Sequence, residues 1–345
     1  LEKEAAREGE KCFYEKIDIT HAMRLWESLP YRQAFAVDGA SVMFYDAGHV
    51  LGSALTVLTV GDKILAYTGD LGNSPAPLLP DTDFLPKVDY LLIESVYGDR
   101  AHEHRDERKN LLEDAIEDVV ARKGVLMIPA FSLERTQEVI YEVKTMMESG
   151  RIPKVPVYLD SPLAIKVTDI YEKYHEYLRT ELQALGRYKD LFSFAQLHPT
   201  LSTDESKAIN EVPGPKIIIA GAGMSNGGRI VHHEQRYLPD TKNMLLLLGY
   251  QASGTLGRMI QDGASSVKIN GEQVSVRAEV RQITGYSAHK DRDGLLDFLA
   301  HAQESLSRVF VVLGEPKSAF ALVQQARDHL GMNAIAPAPG ESVEL

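Results

Sequence analysis

The sequence predicts an α/β (α+β) protein built on a mostly parallel β-sheet with covering helices. Three observations support this. In the middle of the chain, short apolar strands alternate with segments of helical periodicity, which is typical of parallel sheets. The first 98 residues instead contain short strands joined by turns. With 345 residues, 44% of them hydrophobic, the chain can bury the core of one large domain or two smaller ones.

The first predicted strands are residues 41–46 (SVMFYD), 54–60 (ALTVLTV) and 63–68 (KILAYT). The last two of these are joined by a Gly61-Asp62 turn. Residues 89–94 (DYLLIE) form another apolar strand that ends in a carboxylate. The apolar residues between 111 and 120 follow helical spacing and predict the first long helix.

Strands are then predicted at 125–128, 155–159, 217–220 and 244–248, with helices after Pro162 and near Ile230. From about Gly285 the pattern becomes a helix at 291–302, a strand at 308–313 and a helix at 317–330. Changes of pattern near Gly98 and Gly285 are consistent with one domain inserted into another.

Composition limits the classes of protein to which the chain can belong. The net charge of -12 argues against a protein that coats nucleic acid, although a local basic cleft remains compatible with it. Cys12 is the only cysteine, so an internal disulfide is excluded and a reducing, cytoplasmic location is favoured. The longest apolar run, residues 244–248, is far too short to span a membrane. Because the chain begins at Leu1 and shows no signal peptide, we expect it to be a fragment of a longer protein.

Four short motifs carry residues that suit chemistry. They are His49 in GHVLGSA, Asp70 in TGDLG, Glu94 in ESVYG and His289 in GYSAH. Taken singly, each has a plain structural alternative: a locally bonded loop histidine, a turn aspartate, the end of an apolar strand, and a residue near a helix start. Taken together, they place two histidines and two carboxylates mostly at strand ends, where sheet proteins collect their sites. Imidazoles and carboxylates hold zinc, which lowers the pKa of bound water to about 7.

The wording and order of these motifs resemble the metallo-β-lactamase-fold nucleases of the β-CASP family, which includes cleavage and polyadenylation endonucleases and their bacterial and archaeal relatives. The resemblance implies an αββα sandwich interrupted by a β-CASP α/β domain. It implies a partial metallo-β-lactamase domain at residues 1–98, a β-CASP domain at 99–284, and a C-terminal return to the first domain at 285–345. It further implies RNA processing with two zinc ions.

The resemblance also implies a role for each motif residue. His49 would bind the first zinc and Asp70 would bridge both ions. Glu94 would orient His289, which would protonate the leaving oxygen after a metal-activated hydroxide attacks phosphorus. Asp70, Glu94 and His289 are therefore the expected catalytic residues, with His49 and Asp70 as metal ligands.

Two departures from the family pattern affect the metal site. The family's His-x-His-x-Asp-His segment should precede His49, but residues 1–48 contain only His21. We therefore expect this chain to bind zinc poorly and to be inactive alone. His102-Glu-His104-Arg-Asp106 matches part of that segment, but it follows Glu94 and is interpreted as the charged, solvated start of a helix. Leu313 stands where many relatives carry a further zinc-binding histidine, so the second zinc site is expected to be weak.

A glycine-rich loop, AGAGMSNGGR at residues 220–229, links a predicted strand to a helix. Its backbone could cradle a phosphate, or it could be only a tight turn. The resemblance favours RNA contacts, and Ser225, Gly228, Arg229 and, in the GYSAH motif, Ser287 are the phosphate-binding candidates. The segment Ser132-Leu-Glu-Arg135-Thr-Gln137 resembles a family motif, and Arg135 in it is interpreted as a structural residue.

The leading hypothesis is a zinc-dependent endo- or 5′-exoribonuclease that acts on RNA, with single-stranded RNA as the expected substrate. It includes no membrane association and expects a homodimer. The main alternative is a catalytically degenerate RNA-binding subunit of the same fold, which Leu313 favours and the four intact motifs oppose. A hydrolase of small molecules would leave the segment between Gly98 and Gly285 unexplained.

Overall fold

The computed structural model describes residues 12–103, 105–184, 186 and 190–345. Its first five strands are β1 (Phe35–Val37), β2 (Ala40–Asp46), β3 (Ala54–Val60), β4 (Lys63–Tyr67) and β5 (Tyr90–Ile93). The next five are β6 (Val125–Pro129), β7 (Val157–Asp160), β8 (Leu197–Pro199), β9 (Lys216–Ala220) and β10 (Met244–Leu248). The last five are β11 (Ser266–Ile269), β12 (Glu272–Ser275), β13 (Glu279–Ile283), β14 (Arg308–Val311) and β15 (Ala334–Ile335).

The helices lie mostly between these strands. They are α1 (Lys16–Arg24), α2 (Arg105–Ala121), α3 (Arg135–Glu148), α4 (Pro162–Lys173), α5 (Thr180–Gln183), α6 (Thr203–Ala208), α7 (Ile230–Tyr237), α8 (Leu256–Gln261), α9 (Arg292–Ala302) and α10 (Pro316–Leu330). Short 3-10 turns occur at His175–Tyr177, Ile209–Glu211, Thr284–Tyr286 and Gln303–Ser305. None of the helices described is long and apolar enough to cross a bilayer.

A seven-stranded mixed sheet has the order β1-β2-β3-β4-β5-β14-β15. The strands β1 to β4 form an antiparallel meander, and β5, β14 and β15 continue it in parallel. One face of this sheet packs on α9 and α10, where Leu91, Ile93, Leu299 and Leu322 belong to one buried cluster. Strands from both ends of the chain therefore complete a single sheet.

A second sheet, of six strands, has the order β13-β10-β6-β9-β7-β8, and every pair in it is parallel. Its central strands β6, β9 and β10 are buried at every position. Their alternate side chains enter two different core clusters, so both faces of the sheet are covered. Such burial on both sides explains why these strands are continuous apolar runs such as MLLLL, rather than alternating ones.

The predicted fold class is confirmed, and the strands predicted at 54–60 and 244–248 match β3 and β10 to the residue. The strand predicted at 308–313 is too long by two residues, since β14 ends at Val311 rather than at Leu313. Leu313 has φ 53°, in the left-handed region, which a strand residue cannot adopt. The strand therefore ends in a turn just before α10.

Strand direction brings the predicted site residues together. Because β2 and β4 both pair antiparallel with β3, they run in the same direction, and β5 and β14 run parallel to β4. The carboxyl ends of these four strands therefore share one edge of the sheet. His49, Asp70, Glu94 and Leu313 each follow one of those ends.

Candidate metal centre and active site

The loop that carries His49 is shaped by hydrogen bonds within itself. The Ser53 hydroxyl oxygen accepts from the backbone N–H groups of His49 and Val50, at 3.1 and 3.2 Å. The Ala47 N–H donates to the Ser53 carbonyl at 3.2 Å, which closes the turn. The local sequence thus fixes the direction in which His49 leaves β2.

The segment that carries His289 crosses from the six-stranded sheet to this loop. The Asn73 N–H donates to the Ala288 carbonyl at 2.7 Å, and Gly72 and His289 form an isolated antiparallel bridge. A Cβ on Gly72 would lie 2.0 Å from the Gly48 carbonyl oxygen. Because Gly72 has no side chain, its backbone can lie directly against the Gly48 backbone while it also pairs with His289. This close approach brings His49 and His289 together.

His49, Asp70 and His289 converge on one point. One ligand atom from each lies within 4.8 Å of the others, and among the described residues this is the group of His, Cys, Asp or Glu that could hold a metal ion. The His49 Nε2 lies 3.7 Å from an Asp70 Oδ, and the two imidazole rings have centroids 4.6 Å apart. Residues separated by 240 positions in the sequence therefore form one cluster.

Glu94 lies behind His289 and is fully buried. Both of its carboxylate oxygens are 3.2 Å from His289 Nδ1, and one also accepts from the Leu71 N–H at 2.6 Å. Burial lowers the pKa of His289, but the hydrogen bond and charge of Glu94 outweigh it, so that the net pKa is raised. The carboxylate thus holds the ring through Nδ1 and favours its protonated form.

The environment of His49 acts in the opposite direction. Burial, followed by the nearby His289, lowers the pKa of His49 to about 4, although Asp70 partly offsets both effects. Its buried Nδ1 has no hydrogen-bond partner among the described residues, and the backbone of Ala288 partly offsets the lowering of the pKa. At neutral pH His49 is therefore uncharged and can offer a lone pair from Nε2.

This donor set fits a zinc ion. Two imidazoles and a carboxylate are ligands that zinc commonly takes, and the neutral form of histidine is the one that binds it. The side chain of Asp70 is 46% exposed, so its carboxylate has an open side for a further ligand or ion. His49 and Asp70 suit metal binding, whereas His289 is already held by Glu94.

Leu313 lies beside the end of β5. The parallel pairing of Val311 with Ile93 places Leu313 and Glu94 beyond the same edge of the sheet. The next residue, Gly314, lies so close to this segment that a Cβ on it would be 2.3 Å from the Ser95 Oγ. The Leu313 side chain is about half exposed and its backbone is left-handed, with φ 53°. Glu315, which could replace the missing ligand, accepts instead a hydrogen bond from the Tyr250 hydroxyl.

Comparison with known proteins identifies the family. Residues 136–260 match the Beta-Casp domain, and residues 273–337 match the Zn-dependent metallo-hydrolase RNA specificity domain. The chain is 37% identical to ribonuclease TTHA0252 of Thermus thermophilus over 322 residues, which cover 93% of this chain and 73% of that protein. The chain belongs to the β-CASP family of metallo-β-lactamase-fold ribonucleases.

Other β-CASP relatives are similar over most of this chain. It is 34% identical to the RNase J-like protein of Methanocaldococcus jannaschii, over 83% of this chain and 67% of that protein. It is 31% identical to the transcription termination factor FttA of Methanosarcina mazei, over 99% of this chain but 55% of that protein. The chain thus spans between about half and three quarters of the length of these relatives.

Of the four predicted phosphate-binding residues, Ser287 lies at the cluster and the others do not. Ser287 lines the same cavity as His49 and His289. Ser225 is fully buried and its hydroxyl bonds Glu234 at 2.5 Å, while burial raises the pKa of Glu234 to about 8. Its side chain therefore has no exposed face for RNA.

Arg229 and Gly228 also serve the interior of the β-CASP segment. The Arg229 guanidinium donates to Asp160 at 2.7 Å and to the carbonyls of Thr200 and Leu201 at 3.0 and 2.9 Å. Gly228 packs against the Gly221 carbonyl. The Ser225 hydroxyl and the Arg229 guanidinium are therefore engaged within the fold, and contact of Ser225, Gly228 and Arg229 with phosphate stays a prediction.

The interpretation of residues 102–106 as a solvated helix start is wrong for its first two residues, while His104 lies outside the described residues. His102 precedes α2, is partly buried, and has its Nε2 3.1 Å from the His289 carbonyl oxygen. The Glu103 carboxylate accepts from the Gly285 N–H at 2.6 Å and from the Thr284 hydroxyl at 2.5 Å. Both residues hold the GYSAH segment in place.

Sequence reasoning missed a second support, provided by the SLERTQ segment. Glu134, buried and with φ 61°, accepts a hydrogen bond from the Tyr171 hydroxyl, whose oxygen in turn lies 3.4 Å from the Leu51 N–H in the His49 loop. Arg135 is buried and paired with Glu138, in agreement with its structural interpretation. The SLERTQ motif can be recognised in the sequence, but its partners Tyr171 and Leu51 are too distant along the chain to be predicted from the motif.

Proposed function

We propose that this sequence forms part of an enzyme that hydrolyses RNA phosphodiester bonds with zinc, and that His49, Asp70, Glu94 and His289 form its reaction centre. The convergence of His49, Asp70 and His289 within 4.8 Å is the observation that carries the proposal. Relatives named as ribonucleases and the match to an RNA specificity domain support RNA as the substrate.

In this proposal each residue has a distinct role. His49 and Asp70 would hold metal, and the exposed side of the Asp70 carboxylate leaves room for a second ion. Zinc, when bound, polarises the phosphodiester and makes a water molecule acidic enough to attack near neutral pH. Glu94 orients His289 and raises its pKa, so that the imidazolium can give a proton to the leaving oxygen.

We also propose the finer features of the protein. The shared sheet supports residues 1–98 and 285–345 as one domain, with 99–284 as the inserted β-CASP domain. The single Cys12 is compatible with the cytoplasm. Single-stranded RNA as the substrate, two zinc ions and a homodimer remain proposals that rest on family resemblance.

Leu313 favours a second candidate function, a catalytically degenerate subunit that binds RNA without cutting it. A leucine cannot bind zinc, so one ligand typical of the family is lost. The intact Glu94–His289 pair opposes this alternative, because a buried carboxylate that orients a histidine has no evident use in RNA binding alone.

The test uses a protein that carries this sequence together with the upstream ligand segment typical of the family. Cleavage of 5′-labelled RNA is measured with zinc, with a chelator, and in the variants His289→Ala and Glu94→Gln. We expect His289→Ala to lose roughly 10²- to 10⁴-fold in cleavage rate, the usual contribution of a general acid, while RNA affinity is retained. His198→Ala, which removes a histidine at the exposed strand β8, is the matched control.

Full cleavage by His289→Ala would overturn its assigned role. RNA binding without any zinc-dependent cleavage in the unaltered protein would favour the degenerate subunit. Absence of both RNA binding and cleavage would overturn the proposed substrate class.

A further inference from the structure

A cavity of about 280 Å³ opens beside the His49 and His289 rings. One side of it is formed by those two histidines and Ser287. The other side belongs to the β-CASP segment and includes Phe131, Leu133, Met224 and Tyr250. Pockets for drug-sized ligands measure roughly 300–1,000 Å³, so this space suits one small planar group rather than a length of polymer.

Phe131 is unusual for an aromatic residue beside an active site, because 46% of it is exposed. Its ring lies against the backbone of Gly223, where a Cβ would be 2.7 Å from the Phe131 Cδ2. The carbonyl of Phe131 accepts from the Thr136 hydroxyl at 2.7 Å, which ties the residue to the start of α3. Gly223 thus supports the ring and leaves it partly open to solvent.

The charged groups in the wall of this cavity are already paired. Arg135 is buried and bonded to Glu138, and Glu134 is bonded to Tyr171. Burial, reinforced by the charge of Glu138, raises the pKa of the Glu134 carboxyl well above its usual range. The side formed by the β-CASP segment therefore offers mainly apolar and aromatic surface, which suits a ring, and it faces the His49 and His289 rings across the cavity.

Tyr250 adds a second aromatic group with a defined orientation. Its hydroxyl donates to Glu315, and its ring meets Tyr97 edge-on, with centroids 5.9 Å apart. An aromatic side chain held at both its ring and its hydroxyl loses little entropy when a ligand packs on it. Leu133, 42% exposed, completes the apolar rim.

We propose that this cavity is a subsite for one nucleobase of the RNA, next to the phosphate that reacts at His49, Asp70 and His289, and that the Phe131 ring is its stacking surface. The inference rests on the proposed function, since it takes RNA as the substrate. Aromatic side chains bind bases of single-stranded RNA by stacking, which tolerates every sequence because each base has a π-face. The subsite would position the strand without selecting its sequence.

The experiment measures binding, so it does not depend on catalysis. Short single-stranded RNAs, either intact or with one abasic position moved along the strand, are titrated in chelator against the unaltered chain and Phe131→Ala. We expect Phe131→Ala to weaken binding of intact RNA by about 5- to 150-fold, the typical worth of one stacked base. One abasic position should cause the same loss in the unaltered chain and no further loss in the variant.

Three further variants separate stacking from simple packing. Phe131→Trp should retain affinity, whereas Phe131→Leu, which stays apolar but cannot stack, should lose it. Phe320→Ala removes a phenylalanine that is 63% exposed on α10, outside the cavity, and should leave binding unchanged. RNA with 2-aminopurine at the sensitive position should show fluorescence quenching that Phe131→Ala abolishes.

Equal losses for intact and abasic RNA in Phe131→Ala would overturn the subsite, because the ring would then act only on the fold. Unchanged affinity in Phe131→Ala would overturn it as well. RNA binding by the unaltered chain in either case would leave the proposed function standing. Absence of RNA binding, both in this chain and in the protein that carries the upstream ligand segment with zinc, would refute both.

Discussion

Leu313 offers the sharpest test of how this sequence departs from its family, because one position combines a missing ligand with an unfavourable backbone conformation. At φ 53° an L-residue costs roughly 1–2 kcal/mol relative to ordinary conformations, and Asn and His tolerate this region better than Leu does. The side chain is 47% exposed, so its replacement sacrifices little buried apolar area. We therefore expect Leu313→His and Leu313→Asn each to raise the free energy of unfolding by about 0.5–1 kcal/mol in the absence of metal.

The two variants should differ once zinc is added. Histidine supplies a nitrogen ligand and asparagine does not, so only Leu313→His should tighten zinc binding. We expect Leu313→His to raise the affinity for zinc by ~10- to 100-fold, because loss of a residue that only orients a metal ligand already lowers metal affinity by that factor. Chemical denaturation without metal measures the backbone contribution, and zinc titration against a competing chelator measures the ligand contribution.

The reasoning is refuted if Leu313→His and Leu313→Asn bind zinc alike, because the position would then lie away from the site. A different result, loss of zinc binding in Glu315→Ala, would show that this carboxylate already serves as the ligand. The hydrogen bond that Glu315 accepts from Tyr250 argues against that outcome.

Three further predictions follow from the site and its surroundings. The chain should bind zinc weakly, because His49 and Asp70 supply two ligands where a catalytic zinc takes three from protein; two tightly held ions per chain by elemental analysis would contradict this. Glu94 raises the pKa of His289, so their ion pair stabilises the folded state below about pH 6.5 and this contribution is lost as pH rises through the pKa of the folded protein. Glu94→Gln should lower the pKa of His289 in an NMR titration, and an unchanged pKa would refute the pairing. Burial raises the pKa of Asp160, but its four hydrogen bonds lower it by more, so the net pKa is lowered and Asp160 should stabilise the fold above about pH 4 and lose this effect in acid. Asp160→Ala should lower the free energy of unfolding in urea by about 3–5 kcal/mol, against about 0–1 kcal/mol for Asp262→Ala at an exposed ion pair. Equal losses in the two variants would contradict the proposed network.

Residues in the interior of the β-CASP segment show why sequence patterns overpredict functional sites. The loop at 220–229 has the glycines of a phosphate-binding turn, and its Ser and Arg are the residue types that bind phosphate. In the structure, however, Ser225 bonds Glu234 and Arg229 bonds Asp160, which lies 69 positions away. Nothing in the local sequence indicates such partners, because a side chain's charge is visible in the sequence but its neutralisation is not.

The elements of the fold and the four motif residues of the site were determined by the sequence itself. Apolar periodicity and turn residues act over a few positions, so β3, β10 and the two C-terminal helices could be placed from local pattern. His49, Asp70, Glu94 and His289 could be chosen because each follows a strand or precedes a helix within a recognisable motif.

Tertiary structure alone decided how those residues act. It set the protonation preferences of two similar histidines in opposite directions, since His49 is buried against another imidazole while His289 is held by a buried carboxylate. It also turned His102 and Glu134 into supports for the site and left the Phe131 ring exposed beside it. The physical reason is that burial and charge depend on the groups that folding brings within a few ångströms, and most of these come from distant parts of the chain.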